Sequence, residues 1–273
     1  MPSHSVPSPR PAHHVFLEHH APLAFAHRGG TEAAPENSVA AFAAATGLGF
    51  RYLETDVHLT VDGVVVAAHD DRLDRVADTG GVIAEMRWSD VSRARLGGTE
   101  PVPRFEELLE TFPHSRFNID PKSDAVVGPL MDLLRRLDAV QRVCIGAFSD
   151  DRLAALRRRF GPALCTSAGP HESARFVAST KVPGSVGRAG RRADRARGAS
   201  VAFDCLQVPV RHKGVELVTR RFVDTAHAHR VQVHVWTVDE PAEMHRLLDL
   251  GVDGLMTDRP SVLRGVLEAR GEW

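Results

Sequence analysis

Carboxylates follow short apolar runs of this chain at a spacing that suggests metal chemistry. The run RYLETDV places Glu54 and Asp56 two residues apart, so both side chains fall on one face of a predicted strand. Two carboxylates side by side in a buried sheet repel each other and are costly to desolvate unless a cation lies between them. The pair is therefore either a surface feature at a strand end or part of a metal site.

A similar arrangement recurs in the run RFNIDPK, where Asn118, Asp120 and Lys122 are two residues apart. If both runs are strands of one parallel barrel, their carboxyl ends meet at the same mouth. Glu54, Asp56 and Asp120 would then offer three hard oxygen ligands, a set that suits Mg2+ or Ca2+ better than zinc.

Two histidines come directly after apolar runs and are candidates for an acid and base pair. His27 follows LAFA and is next to Arg28, whereas His69 follows VVVAA and is next to Asp70. A lone histidine at such a place is more often structural. Two of them fit displacement at phosphorus, which needs one proton removed and one delivered. Arg28 and Lys122 would supply positive charge for phosphate oxygens.

The elements that position these residues alternate from residue 23 to the end. Strands are predicted over 23–26, 52–56, 64–68, 116–120, 143–147, 164–167, 201–207, 231–238 and 254–257. The excess over eight is explained by a local hairpin turning at Asp62-Gly63. About 250 residues of such repeats is the size of one (β/α)8 TIM barrel. An open doubly wound sheet is the competing α/β architecture, but no Gly-x-Gly-x-x-Gly motif follows the first strand.

Amphipathic stretches predict helices over 38–47, 105–111, 126–137, 151–159, 216–229 and 241–250. Two segments lack this periodicity. Residues 71–100, after the third strand, are expected to form a small inserted cap of turns and a short helix. Residues 181–200 form a Gly- and Arg-rich connection, either a solvated loop or a basic rim that attracts an anionic substrate.

Residues 1–21 are rich in Pro, Ser and His and are expected to be a disordered tail ahead of one barrel domain over 22–273. They contain no apolar stretch of signal-peptide length, and no segment of the chain has the roughly 20 apolar residues that span a bilayer. Neither export nor stable membrane insertion is expected. The sequence does not indicate the oligomeric state.

The overall charge and the cysteines narrow the class of protein further. The net charge of −1 over 273 residues gives no basic excess for binding nucleic acid. Cys144, Cys165 and Cys205 lie inside apolar runs and are interpreted as reduced core residues. Their odd number and wide spacing argue against a disulfide framework or a structural zinc site, and favour a cytoplasmic location.

The late run VQVHVWTVD places His234 and Trp236 on one face of a strand, towards the barrel interior. Trp236 is either an aromatic contact for the glycerol or lipid part of a substrate or a packed core residue. His234, one layer deeper, is interpreted as a hydrogen-bonded core residue.

Several strings together resemble the glycerophosphodiester phosphodiesterases. They are FAHRGGTEAAPENSVAAF, LETDVHLTVDG, the His-Asp pair at 69–70, FNIDPK, VHVWTVDE and GVDGLMTDRP, which cover residues 23–262 in order. The resemblance implies a barrel enzyme with a divalent metal, two catalytic histidines and a basic phosphate clamp. By motif these roles fall on His27, Arg28, Glu54, Asp56, His69, Asp120 and Lys122. The chain departs from the family at Asp120, where the family usually has glutamate, and this puts the metal preference in doubt.

The implied function is hydrolysis of a glycerophosphodiester to an alcohol and glycerol phosphate, attacked by water or by a neighbouring substrate hydroxyl. One alternative is a phospholipase D type enzyme acting on lysophospholipids or sphingolipids, for which Val82, Ile83, Met86 and Trp88 could form an apolar entrance. Another is a phosphate-ligand binding barrel without catalysis. Loss of a histidine would mark that barrel, and both histidines are present.

Overall fold

A computed structural model describes residues 14–19, 21–181 and 202–273. Its strands, in chain order, are β1 (Leu23–Ala26), β2 (Tyr52–Leu59), β3 (Val65–Ala67), β4 (Arg95–Leu96), β5 (Glu100–Pro101), β6 (Arg116–Pro121), β7 (Val143–Ile145), β8 (Cys165–Thr166), β9 (Cys205–Pro209), β10 (Arg211–His212), β11 (Val215–Glu216), β12 (Gln232–Trp236) and β13 (Gly254–Thr257). Eight of them are parallel neighbours in the order β8-β7-β6-β2-β1-β13-β12-β9. A parallel bridge between Ser167 and Cys205 joins the two ends, so the predicted eight-stranded barrel is confirmed.

Helices surround this barrel. They are α1 (Val39–Gly47), α2 (Trp88–Val91), α3 (Phe105–Thr111), α4 (Asp124–Arg136), α5 (Asp150–Phe160), α6 (Pro170–Lys181), α7 (Arg220–Ala228), α8 (Pro241–Asp249) and α9 (Pro260–Arg270). Outward side chains of the strands, such as Leu53 and Phe117, pack with helix residues such as Phe42 and Leu130 in the main core. The inward face of each strand is thereby left for a separate interior. None of the described helices is long and apolar enough to cross a membrane.

The predicted strand over 64–68, which exceeds the eight of the barrel, belongs to a hairpin, as expected. β3 pairs antiparallel with the end of β2, with Val57 opposite Ala67. Gly63 in the connecting turn has a positive φ of 86°, a conformation that glycine adopts without strain. The Asp62-Gly63 prediction is confirmed.

The segment over residues 71–100 contains α2 and the short β4–β5 pair, and it has a small core of its own. Leu73, Ile83 and Val91 are fully buried in it, and Met86 and Trp88 pack against it. The expectation that Ile83 lines an apolar entrance is therefore wrong. Val66 of β3 belongs to the same cluster, so the apolar side chains of the segment pack against one another and against the hairpin.

The expectation that residues 1–21 form a disordered tail is wrong for residues 14–19, whereas residues 1–13 and 20 lie outside the described residues. Residues 14–19 form a turn under the barrel, at the floor where the strands begin, and Phe16 and Leu17 are fully buried there. The Tyr52 hydroxyl and the Arg116 guanidinium donate to the Phe16 carbonyl at 2.9 and 2.8 Å. Phe16 and Leu17 are apolar side chains in a largely polar segment, and they close the floor of the barrel. The composition of the segment does not reveal this role.

Other boundaries shift for local reasons. The helix expected over 216–229 begins at Arg220, because Val215–Glu216 pairs with Arg211–His212 and the Thr219 hydroxyl caps the helix. Two helices were not predicted, Pro170–Lys181 and Pro260–Arg270. The connection over 181–200 and the start of the strand predicted from Val201 fall almost entirely outside the described residues.

Candidate active site

The acidic residues meet at the mouth of the barrel, where the parallel strands end. Asp56 on β2 is the register partner of Asp120 on β6, and Glu54 is the partner of Asn118. Glu54, Asp56 and Asp120 are 5%, 3% and 9% exposed. The period-two pattern and the parallel pairing thus bring three buried carboxylates to one part of the interior, as the sequence predicts.

Lys122 lies between two of these acids. Its Nζ is 2.6 Å from Asp56 Oδ1 and 2.8 Å from Asp120 Oδ2. Burial alone would lower the pKa of Lys122, but Asp56 and Asp120 outweigh it and raise that pKa. Burial raises the pKa of Asp120 despite the lysine. Lys122 therefore offsets part of the negative charge of these two carboxylates.

The acids remain under-compensated, and their chemistry fits a divalent cation. Burial and then repulsion from Asp56 raise the pKa of Glu54 to about 7. Asp56 Oδ2 and Asp120 Oδ1 are buried without a hydrogen-bond partner. In the described part of the chain, the oxygens of Glu54, Asp56 and Asp120 do not all approach within 4.8 Å of one another. Binding by all three would need side-chain movement.

His27 is held against these acids by strand pairing. β1 and β13 pair with Ala26 opposite Thr257, so the following residues, His27 and Asp258, also meet. His27 Nδ1 is 2.6 Å from Asp258 Oδ1, and Nε2 is 3.7 Å from Glu54 Oε2. Burial alone would lower the pKa of His27, but Glu54 and Asp258 outweigh it and the pKa is raised.

Asp258 is a site residue that the sequence interpretation missed. Its backbone N–H donates to Asp239 Oδ1 at 2.8 Å, and the Thr257 hydroxyl donates to the same oxygen at 2.9 Å. Asp258 is therefore fixed where it orients the imidazole of His27. The sequence did contain a signal for Asp258, because this residue directly follows the last strand, much as Asp120 stands at the end of another. Its contact with His27 was not apparent, since 231 residues separate the two.

His69 has a matching arrangement on the other side of β2. Its Nδ1 is 2.6 Å from Asp70 Oδ1, and Arg75 Nε donates to Asp70 Oδ2 at 2.5 Å. The Arg75 hydrogen bond, together with the one from His69, lowers the pKa of Asp70 to about 2. His58, which the sequence reading did not single out, contacts the His69 carbonyl oxygen through Nε2 at 3.1 Å.

Arg28 is at the site but is already engaged. Its Nη1 donates to Glu36 Oε1 at 3.0 Å, and its Nε is 3.4 Å from Asp56 Oδ2. Its backbone N–H donates to Glu54 Oε2 at 3.0 Å. Glu36 also accepts two bonds from Arg75, so it links the first barrel loop to the inserted segment.

Trp236 lies at the mouth and is partly buried. Its ring makes an edge contact with Phe148, at 5.9 Å between centroids, and Phe148 is 71% exposed. His234, one layer below, is fully buried, and its Nε2 is 3.1 Å from Gln232 Oε1. The interpretation of His234 as a hydrogen-bonded core residue is confirmed for that nitrogen.

Known proteins match the chain over nearly its whole length. Residues 27–262 match the glycerophosphoryl diester phosphodiesterase family. A probable glycerophosphodiester phosphodiesterase 2 from Mycobacterium tuberculosis is 42% identical over 259 residues, covering 94% of this chain and 95% of that protein. The crystal structure of a putative glycerophosphoryl diester phosphodiesterase from Silicibacter pomeroyi superposes with a TM-score of 0.74 at 25% identity, covering 94% and 96% of the two chains.

A third comparison concerns a phosphodiesterase from Oleispira antarctica, solved in complex with the product sn-glycerol-3-phosphate. It has a TM-score of 0.69 at 19% identity, and covers 91% of this chain and 97% of that one. Fold, site and relatives together define a (β/α)8-barrel phosphoric diester hydrolase. The chain belongs to the glycerophosphoryl diester phosphodiesterase family.

Proposed function

We propose that this enzyme hydrolyses glycerophosphodiesters to an alcohol and glycerol phosphate, in a reaction that needs a divalent cation and two histidines. The observation that carries the proposal is the group formed by His27, Glu54 and Asp258, in which an oriented imidazole lies next to a buried carboxylate. The names of the relatives support the substrate class, as does the glycerol phosphate bound to the Oleispira antarctica enzyme.

The metal ligands of the proposal are Glu54, Asp56 and Asp120. Mg2+ or Ca2+ would polarise a phosphoryl oxygen and relieve the repulsion between the carboxylates. Asp56 Oδ2 and Asp120 Oδ1 can bind without breaking a hydrogen bond, because each has none. Lys122 and Arg28 supply positive charge beside the same acids. Both would bind the phosphate oxygens of the substrate when these oxygens replace the carboxylates as hydrogen-bond acceptors.

The two histidines would move the protons. In each ring Nδ1 is paired with a carboxylate at 2.6 Å. This pairing would fix the tautomer and make Nε2 the nitrogen that transfers the proton. One imidazole accepts the proton of the attacking water or substrate hydroxyl, and the other delivers a proton to the leaving alcohol.

Product analysis over a panel of glycerophosphodiesters with different alcohols tests the substrate class. We expect glycerol phosphate from every active substrate, with the free alcohol released in equal amount. Release of free glycerol and the alcohol's phosphate would place the cleavage on the other side of phosphorus and contradict the proposal. If no glycerophosphodiester of the panel is turned over but lysophospholipids are, a phospholipase D type activity is favoured.

A phospholipase D type activity on lysophospholipids is the second candidate. It is supported by the exposed aromatic ring of Phe148 against Trp236 at the mouth, where an acyl chain would pass. Phe148→Ala should then lower kcat/KM for a long-chain lysophospholipid several-fold and leave a water-soluble glycerophosphodiester unchanged. An equal effect on both substrates would show that the ring does not contact an acyl chain.

A further inference from the structure

Three cysteines that are far apart in the sequence lie together inside the barrel. Cys144, Cys165 and Cys205 belong to the neighbouring strands β7, β8 and β9, and all three are fully buried. Their sulfur atoms lie within 4.8 Å of one another, and the Sγ atoms of Cys144 and Cys205 are 3.9 Å apart. Inward positions on adjacent strands produce this cluster, which the spacing along the chain does not reveal.

The cluster is separate from the catalytic acids. Cys144 is the register partner of Asn118, and Gln207 follows Cys205 by two residues on the same strand face. Gln207 lies two residues nearer the mouth than Cys205, and its Nε2 donates to Asn118 Oδ1 at 2.7 Å. Below the thiols, Phe16 and Leu17 close the floor in the same apolar cluster. The thiols therefore belong to the apolar cluster of the lower barrel and not to the group of catalytic acids.

The sulfur positions are compatible with one tetrahedral metal ion. Zinc–sulfur bonds of about 2.3 Å place two sulfurs about 3.8 Å apart in a tetrahedron. The Cys144–Cys205 separation of 3.9 Å already satisfies this, and the remaining pairs need a contraction of at most about 1 Å, which rotation about χ1 provides. Simple sulfur packing gives similar distances, so a second observation is needed.

That observation is an unsatisfied nitrogen on the same part of the interior. His234 lies on β12, the neighbour of β9, and is fully buried. Its Nδ1 has no hydrogen-bond partner, although buried imidazole nitrogens normally have one. Gln232 is the register partner of Cys205, and His234 follows Gln232 by two residues on the same strand face, so the ring is a diagonal neighbour of that thiol. The His234 nitrogens do not lie within 4.8 Å of all three sulfurs, so binding requires the ring to turn towards them.

The position of the cluster gives it a structural use. Most neighbouring barrel strands are joined by continuous parallel pairing, whereas β8 and β9 are joined by the isolated bridge between Ser167 and Cys205. Cys165 and Cys205 lie on the two sides of this seam. A shared ion would link three strands across it.

We propose that Cys144, Cys165 and Cys205 bind one Zn2+ as thiolates, with His234 Nδ1 as the fourth ligand. Three thiols and a neutral imidazole would take up the ion and release three protons to solvent, and no oxidant is required. The three thiolates and the ion then carry a net charge of −1. Four protein ligands leave no open position, so the ion stabilises the barrel and does not act on substrate.

Cobalt substitution tests this site without relying on activity. The full chain, refolded with Co2+ under reducing conditions, should show a sulfur-to-cobalt charge-transfer band that corresponds to about one ion per chain. Asp120→Asn should leave the band unchanged, because the carboxylate site has no sulfur. Met256→Leu, a change in the same buried cluster, serves as the packing control and should also keep the band.

Zinc content provides the second measurement. Wild-type chain refolded with Zn2+ and then dialysed against a mild chelator should retain about one zinc per chain. Cys205→Ser chain treated in the same way should retain at least about tenfold less zinc. His234→Gln should keep the sulfur band of the cobalt form but alter its ligand-field bands. Wild-type chain with no sulfur–cobalt band overturns the proposal even if Cys205→Ser does not fold. Retention of zinc by a folded Cys205→Ser chain also overturns it.

Discussion

His27 and His69 share one local design, in which a carboxylate 2.6 Å away holds Nδ1. The sequence predicted both histidines, because each directly follows an apolar strand. It also showed Asp70, which is adjacent to its histidine. It did not show the role of Asp258, because that contact depends on the pairing of the first and last barrel strands.

Replacing either histidine should remove proton transfer. His27→Ala and His69→Ala should each lower kcat about 100-fold or more without unfolding the chain, since general acid or base catalysis contributes at least that much. Steady-state kinetics and melting temperature are the measurements. His171→Ala is a matched control, because this histidine is 87% exposed and contacts a surface aspartate. Near wild-type kcat in a folded variant would show that the histidine was misassigned.

Asp258 should act by positioning His27. Asp258→Asn keeps the size of the side chain but removes the charge that orients the ring, so kcat should fall about tenfold or more while KM changes little. Asp258→Glu should recover part of the loss. If the loss of kcat in the two variants is fully explained by the fall in their melting temperatures, Asp258 has only a structural role.

Asp120 should matter for metal binding through its charge. Asp120→Asn should raise the half-saturating metal concentration about tenfold or more, because it replaces an anionic ligand with a neutral amide. Asp120→Glu should be milder and should shift the preference between Mg2+ and Ca2+. Activity is titrated against both metals, with melting temperature measured alongside. An unchanged half-saturating concentration in a folded Asp120→Asn enzyme would reduce Asp120 to a partner of Lys122.

Among the elements, the sequence predicted best where local signals and burial agree. β1, β13 and α3 have the predicted bounds, and the Asp62-Gly63 hairpin explains the extra strand. α6 and α9 were missed although each begins with a proline at its first residue, a position that helices tolerate well. The fixed position of Phe16 and the apolar cluster around Ile83 both depend on contacts with other elements. A single sequence does not reveal such contacts.

The inserted segment is attached through charged contacts that depend on pH. Hydrogen bonds from Arg75 and then His69 lower the pKa of Asp70 to about 2, whereas an unfolded aspartate titrates near 3.9. The contact therefore stabilises the folded chain above about pH 4, and this contribution is lost as the pH falls towards 2. The Arg75 side chain is half exposed, so its contribution is no more than about 1 kcal/mol.

Arg75→Gln should lower the free energy of unfolding at pH 6 by up to that amount, and the difference from wild type should shrink below pH 4 and vanish below pH 2. Urea unfolding at several pH values measures it. Arg72→Gln is the control, because Arg72 forms an exposed pair with Asp74. A difference that is the same at every pH would mean that Arg75 stabilises by packing rather than by its charge.

At the scale of the whole molecule, the barrel separates three groups of residues along its axis. Carboxylates and histidines lie at the mouth, the thiol cluster lies inside, and Phe16 and Leu17 close the floor. The alternation of strand and helix signals was sufficient to predict the barrel and its mouth. It was insufficient for the interior, because the neighbours there come from strands that are distant in the sequence.

The central claim is metal-dependent hydrolysis of a glycerophosphodiester at this mouth. Its most direct test measures glycerol phosphate released from glycerophosphocholine by chain that has been exhaustively chelated and then given Mg2+ or Ca2+. We expect no release after chelation and full recovery with at least one metal, because the proposed cation would offset the repulsion between the buried carboxylates of Glu54 and Asp56. Undiminished release after chelation would contradict the account.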